Sequence, residues 1–194
     1  MPWRYKSAGS SANNHLLGEL AALVVAGSRW PALEKITCPA EDAWSELSRE
    51  VLHQFAKDGG SREQALHYHL FAFDLAWQAV RAVGCRAGEA HDRLCSAARF
   101  FLDLSQGSEP WDVGDNDDAQ VVPVTLHRSK AAIEWMQWLA GRPGALKCWL
   151  GPTPLSQPHE NDLSSPWINH AESGLAALRT HGWFLRLDAS PLGF

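Results

Sequence analysis

The stretch from Leu66 to Val80 constrains the fold most. Leu66, Leu70, Phe73, Trp77 and Val80 repeat at helical spacing on one face, while Phe71, Leu75 and Ala79 fall on the others. A helix that is apolar nearly all round does not sit on a surface; it is buried between layers. Its neighbours in sequence supply those layers. Leu16, Leu17, Leu20, Leu23 and Val24 mark a first helix, Leu16–Gly27, with Ser10, Ser11, Asn13 and Asn14 as N-cap candidates and Gly27 as a stop. Trp44, Leu47, Val51 and Phe55 mark a second, ended by Asp58-Gly59-Gly60. Ser61-Arg62-Glu63-Gln64 fits a capping box for the central helix, which Gly84 stops. A fourth helix runs from about Glu89 to Leu104, with Leu94, Ala98, Phe101 and Leu102 inward. Helix, short turn, helix, repeated in this way, predicts stacked hairpins, as in a bundle or an α/α toroid.

The pattern changes after Gln106. Residues Glu109 to Asp118 form an acidic loop containing Gly114-Asp115-Asn116-Asp117-Asp118. It lacks the glycine and distal glutamate of an EF-hand and reads as a solvated turn on the surface. A last helix, about Lys130–Ala140, carries Ala132, Trp135, Met136 and Leu139 on one side and stops at Gly141 and Pro143. Thr153–Ser165 is rich in Pro and Ser and reads as a linker. Leu175–Arg179, a Thr180-His181-Gly182 turn and Trp183–Asp188 then read as a β-hairpin. A lone hairpin is marginal in water, so this one packs on the helices or begins a larger sheet.

Composition narrows the function classes. Hydrophobic content of 45% and charged content of 20% in 194 residues are those of a globular protein. A net charge of −5 argues against a nucleic-acid binder and, without a local basic patch, against a polyanionic ligand. Ten Trp is high for this length, and large aromatics are so readily buried that most are expected in the core. Cys38, Cys85, Cys95 and Cys148 have no close paired spacing, which disfavours a zinc knuckle or redox motif and leaves a disulfide open; Cys95 reads as packing. The start, Met1 to Lys6, has no signal-peptide core, and the longest apolar run, Leu20–Ala26, is too short to span a bilayer, so no membrane partner is expected.

Two polar clusters about fifty residues apart stand beside these apolar helices. The first is Ser10-Ser11-Ala12-Asn13-Asn14-His15, and the second is Glu63-Gln64-Ala65-Leu66-His67-Tyr68-His69. Taken singly they have ordinary explanations: Asn14 a cap, His15 a surface residue, Tyr68 a core phenol with one hydrogen bond. His67 and His69 point to different sides of the helix, while Gln64 lies one turn before Tyr68 on its face. Together they supply an amide, imidazoles and a phenol, the donors and proton carriers that a proton-handling cleft requires.

In order and spacing, Ser11-Ala12-Asn13-Asn14-His15-Leu16, then Asp58-Gly59-Gly60, Glu63-Gln64, Tyr68-His69 and Phe71, resemble the heparinase II/III family of polysaccharide lyases, alginate lyase-like members included. Gly114 to Asp118 resembles the acidic loop near the end of that family's helical domain, and Trp183 to Gly193 an early strand of its C-terminal β domain. The resemblance implies a mainly α chain. Residues 1–150 would be part of an α/α toroid, and residues 151–194 a linker and the first hairpin of an antiparallel β-sandwich, with a cleft between the two domains. It implies β-elimination on a uronic acid-containing polysaccharide, heparan sulfate- or alginate-like. Asn14, with His15, would neutralise the uronate carboxylate; Tyr68 would be the catalytic acid, and in some members also the base; Gln64 and His69 would support the substrate. Removing a uronate C5 proton builds charge on the carboxylate, and one well-aimed donor there lowers the barrier by about 3–4 kcal/mol. A phenol of ordinary pKa, about 10, protonates a leaving oxygen without help but needs positive charge nearby to act as a base.

Only about ten residues precede the Asn-His cluster, and no His-rich segment follows the hairpin. His91, His127, His159, His170 and His181 are scattered and read as structural or surface residues. The chain is therefore expected to hold the middle part of such a lyase. No cofactor is expected in it; the metal ligands of some family members belong to a later part of the β domain. Family members are typically periplasmic or secreted. The partner expected is an acidic polysaccharide, with self-association through surfaces that absent helices and strands would leave open. The alternatives are a non-catalytic or degenerate carbohydrate binder, a helical scaffold for protein partners, and a glycoside hydrolase. The last needs two carboxylates across a cleft, for which Glu19, Glu63 and Asp74 are available.

Overall fold

A computed structural model of the chain describes residues 6–9, 12–84, 88–105, 114–115, 121, 128–155, 166–180 and 182–190. It is mostly helical and ends in a small antiparallel sheet. The helices are α1 (Asn14–Arg29), α2 (Ala40–Gln54), α3 (Leu66–Val83), α4 (Glu89–Ser105), α5 (Arg128–Leu139) and α6 (Ala145–Leu150); the strands are β1 (Trp167–His170), β2 (Leu175–Thr180) and β3 (Trp183–Asp188). A 3₁₀ turn, Pro31–Lys35, lies in the α1–α2 connection.

The nearly all-apolar helix α3 is central, packed against α1, α2, α4 and α6. It buries Leu66, Ala72, Phe73, Ala76, Trp77, Ala79 and Val80, and Gly84 ends it in the left-handed region. Burying one such large apolar side chain stabilises the fold by roughly 1.5–3 kcal/mol. α1 contributes Leu16, Leu17, Leu20, Leu23 and Val24 to the same core. It does not stop at Gly27 as the sequence suggests. A Cβ there would stand 2.9 Å from the Ala40 Cβ, so this glycine lets α1 run on while the start of α2 passes close by. On the far side Phe73 packs with Trp77, Trp135 and Trp138 at ring-centroid distances of 5.8–6.3 Å. The indole N–H groups of Trp77 and Trp138 donate to the carbonyls of Leu150 and Gly151, which ties α6 down.

The sheet has the order β1-β2-β3 and is antiparallel throughout. Trp167 pairs with Leu178 and Leu178 with Leu185; Thr180 pairs with Trp183. The strand β1 falls just after the stretch read as a linker and extends the expected hairpin to three strands. The sheet docks on the C-terminal end of α4. Arg179 and Arg186 donate to the carbonyls of Asp103 and Leu104, the kind of cationic cap that a helix C-terminus favours. Asp58, in the turn after α2, accepts from the Ser173 N–H at 2.8 Å and from the Ser173 hydroxyl. Burial pushes the Asp58 carboxyl up, but the Ser173 hydroxyl and N–H, the Gly60 N–H and nearby His170 together hold it below the usual carboxylate range.

Tryptophan departs from expectation. Trp77, Trp135 and Trp138 are buried, but Trp30, Trp149, Trp167 and Trp183 are all more than 60% exposed. The last two lie on the outer face of the sheet, beside exposed Leu185 and Leu187, because the strand alternation that turns Ile168, His170 and Arg186 toward the helices turns these residues away. Cys38, Cys95 and Cys148 are free thiols; Cys85 lies outside the described residues. Among the described residues no helix is long and apolar enough to cross a membrane.

Candidate functional site

An open cleft of about 610 Å³ lies where the start of α1, the end of α2 and the start of α3 meet. Its described wall consists of Gly9, Ala12, Asn13, Asn14, His15, His53, Glu63, Ala65, Tyr68 and Asp115. Asn14, His15 and Tyr68, nominated from two segments of sequence, thus face one space.

The α1 edge of the wall is built by capping. Asn13 is the N-cap, its side-chain oxygen accepting from the His15 N–H at 3.2 Å. Glu63 completes the helix start from across the cleft. One of its carboxylate oxygens accepts the Asn14 backbone N–H at 2.9 Å, and the other accepts the Asn14 side-chain N–H at 3.1 Å. A carboxylate at a helix N-terminus is favoured by the orphan N–H groups and the dipole. Gln54 fixes the segment from below, donating to the Asn13 carbonyl and to Glu50 at 2.7 Å each. His53, beside it, approaches Glu50 at 3.5 Å. Asn14 is therefore nearly buried and its amide oriented, while His15 is exposed at the rim.

The α3 edge depends on a turn. Ser61 to Gln64 do not form the expected capping box: α3 begins at Leu66, with Ala65 at the cap and no side-chain cap bond. Instead the Ser61 hydroxyl accepts from the Glu63 N–H and the Ser61 carbonyl from the Gln64 N–H, a tight turn in which Gln64 has φ of +53°. This left-handed conformation costs about 1–2 kcal/mol in a non-glycine residue. In exchange the carboxylate of Glu63 is aimed at α1 rather than at its own helix. Gly114 packs on this turn with φ of +76°, and a Cβ there would stand 2.7 Å from the Gln64 carbonyl oxygen and the Ala65 Cβ. That close seat brings Asp115 to the cleft wall, where it is exposed, as expected of a solvated turn. The rest of the acidic stretch lies outside the described residues.

Two nominated residues are not on this wall. The Gln64 side chain is not part of the described lining. His69 lies in the core at 1% exposure, stacked on Phe100 and Phe101 and edge-on to Phe55. Its Nε2–H donates to the Ala97 carbonyl at 2.9 Å, and its buried Nδ1 has no hydrogen-bond partner. Burial, with a smaller contribution from nearby His170, lowers its pKa to about 4 against the one favourable bond to Ala97. One residue from Tyr68 on a helix is a turn of about 100°, which carries His69 inward as Tyr68 faces out. A sealed neutral ring of this kind packs helices and does not reach a sugar.

Glu63, His53 and Asp115 on the wall, and buried Gln54 behind it, are residues whose roles no local motif disclosed. Gln54 alone left a trace: it falls three residues after Val51 on the apolar stripe of α2, where a polar residue needs a buried partner. Of the hydrolase candidates, Glu19 is engaged by Ser7 and Asp74 by Gln78, neither on the cleft, while Glu63 shares the cleft wall with Asp115 and has both its oxygens on Asn14. Among the described residues no cluster of three or more His, Cys, Asp or Glu is placed to hold a metal.

Fold and site define a mainly helical protein with an open, polar cleft formed at helix ends and a small sheet docked behind it. Residues 4–92 match the family model described as Heparinase II/III N-terminus, so this part of the chain is similar to the N-terminal part of that polysaccharide lyase-like family. Every described residue of the cleft wall except Asp115 lies within the match. No curated protein and no solved structure matches the chain.

Proposed function

We propose that the cleft binds a uronic acid-containing polysaccharide and takes part in its cleavage by β-elimination. One observation carries this reading: Asn14 and His15 share a wall with Tyr68, although some fifty residues separate them in sequence. An amide group has two N–H donors. Glu63 takes one of Asn14's and thereby orients the other, which the reading assigns to the substrate carboxylate as charge builds there. The exposed imidazole of His15 adds a second donor. Tyr68 takes up the C5 proton and delivers a proton to the departing glycosidic oxygen, serving as base and then acid, so the C5–H and the C4–O bonds are exchanged for a C4–C5 double bond and a free hydroxyl. A positioned acid of this kind contributes roughly 10²–10⁴-fold.

The test is ultraviolet absorbance of the unsaturated product from heparan sulfate-, alginate- and hyaluronan-type polymers. The reading expects a rise that Tyr68→Phe removes. A second reading, binding without turnover, is favoured by the near-complete burial of Asn14. Oligosaccharide binding that survives Tyr68→Phe, with no rise in absorbance, supports that alternative. Neither binding nor product overturns both.

A further inference from the structure

The loop between α2 and α3 meets the cleft at one end and the sheet at the other. Phe55 and Ser61 pair as an antiparallel bridge, the Ala56 N–H donates to the Gly60 carbonyl at 2.8 Å, and the Arg62 N–H donates to the Gln54 carbonyl at 2.9 Å. Residues 54–62 thus form a short closed hairpin. Its base holds the start of α1: Gln54 through the Asn13 carbonyl, and Glu63, one residue beyond, through the Asn14 N–H and amide. Its tip is clamped from two sides. On one side Gly59 lies so close to α4 that a Cβ there would run into the Ser96 carbonyl, backbone against backbone. On the other side is the β1–β2 turn. Asp58 accepts from the Ser173 N–H and hydroxyl, Glu172 accepts from the Lys57 N–H at 3.0 Å, and a Cβ on Gly60 would collide with the Ser173 hydroxyl. No described residue of the sheet lines the cleft itself.

We propose that the β1–β2 turn positions the Asn14 amide through this hairpin, with Ser173 and Asp58 as positioning residues that never touch the substrate. A hairpin closed by its own hydrogen bonds moves as one piece, so what fixes its tip also fixes its base. The coupling stands on contacts within the free protein. Its chemical consequence, a donor better aimed at the uronate carboxylate, rests on the reading above. Arg93 donates to the Leu52 and Phe55 carbonyls, and with the Gly59 contact it keeps the hairpin on α4 when the sheet lets go. Release therefore loosens the Asn14 seat without melting it. A donor that matters as charge builds in the transition state acts on kcat more than on KM.

Hydrogen exchange in the full chain without ligand, read by NMR, tests it in two variants. Ser173→Ala removes the hydroxyl bond to Asp58; Gly60→Ala wedges the turn away and leaves the Asp58 carboxylate intact. In both, the sheet should loosen most, the Asn14 N–H should exchange about fivefold faster, the effect of losing about one hydrogen bond, and the Asn14 side-chain amide resonances should shift. The Trp30 N–H, bonded to the Ala26 carbonyl at the far end of α1, should keep its rate. A loosened sheet with Asn14 unmoved in Ser173→Ala overturns the coupling. Equal quickening at Asn14 and Trp30 overturns it too, since that is general destabilisation. Where the unaltered chain forms unsaturated product, both variants should lower kcat severalfold at nearly constant KM, and a change in KM alone overturns the positioning role. Absence of product from the unaltered chain counts against the polysaccharide reading, and the exchange rates at Asn14 still decide the coupling.

Discussion

Removing the Glu63 carboxylate tests how the site is assembled. Glu63 makes two hydrogen bonds to one residue, the Asn14 N–H at 2.9 Å and the Asn14 side-chain amide at 3.1 Å. Bonds to a charged group contribute about 1.5–3 kcal/mol each, and because Glu63 is only half-buried the lower end applies. Glu63→Ala should therefore destabilise the protein by about 3 kcal/mol, including a small helix-terminus contribution. Glu63→Gln retains one neutral acceptor, worth about 1 kcal/mol, and should cost about 2 kcal/mol. Asn14→Ala removes only the side-chain bond and should cost about 1.5 kcal/mol. The double variant should reveal a coupling of about 1.5 kcal/mol between the two side chains, since the backbone bond survives in Asn14→Ala. Urea unfolding followed by tryptophan fluorescence and far-ultraviolet circular dichroism gives all four values. A Glu63→Ala loss under about 0.5 kcal/mol, or a coupling indistinguishable from zero, refutes the reasoning that this carboxylate holds the α1 edge.

Acid should unfold the protein in a defined window. His69 is neutral when folded, with a pKa of about 4 against an ordinary 6.5, so the unfolded chain takes up its proton first. Stability is full above pH about 6.5 and falls as pH drops toward 4, by about 3 kcal/mol, and Asp58 adds a further loss below the usual carboxylate range. A urea midpoint that does not move between pH 7 and 4, or that moves equally in His69→Phe, contradicts this. Asp58→Ala should cost about 2–3 kcal/mol by releasing Ser173, and should speed hydrogen exchange in β1 and β2 before α1; unchanged exchange in the sheet refutes it. Tyr68→Phe should lower product formation at least about a hundredfold while shifting stability by less than about 1 kcal/mol, as read by absorbance and urea unfolding.

The long helices were legible because their apolar residues repeat at 3.6 over three or more turns, and α3 announced its central place by being apolar on all sides. α6 and β1 were not: six residues and four residues carry too little periodicity to register. The capping box was misread because Ser61 and Glu63 found other partners. The hydroxyl of Ser61 is spent within its own turn and the Glu63 carboxylate reaches Asn14, a contact 49 residues away in sequence. Asn14, His15 and Tyr68 could be nominated because each is a polar group beside an apolar helix pattern. The side of α3 to which His69 turns was not decided locally, since it depends on Phe55, Phe100 and Phe101 closing over the ring. Asp115 could not be placed from sequence because its position follows from the seat of Gly114 on a distant turn. The exposed Trp167 and Trp183 show the same limit, as burial of an indole depends on which sheet face meets the helices.

Amide chemical-shift mapping during titration with unsulfated oligouronates tests the shared cleft most directly. The account predicts that shifts concentrate at Asn13, Asn14, His15, Glu63, Ala65, Tyr68 and Asp115, and that Tyr68→Phe leaves the pattern in place. Shifts confined to the outer sheet face around Trp167 and Trp183, with the α1 and α3 starts unmoved at saturation, would contradict it.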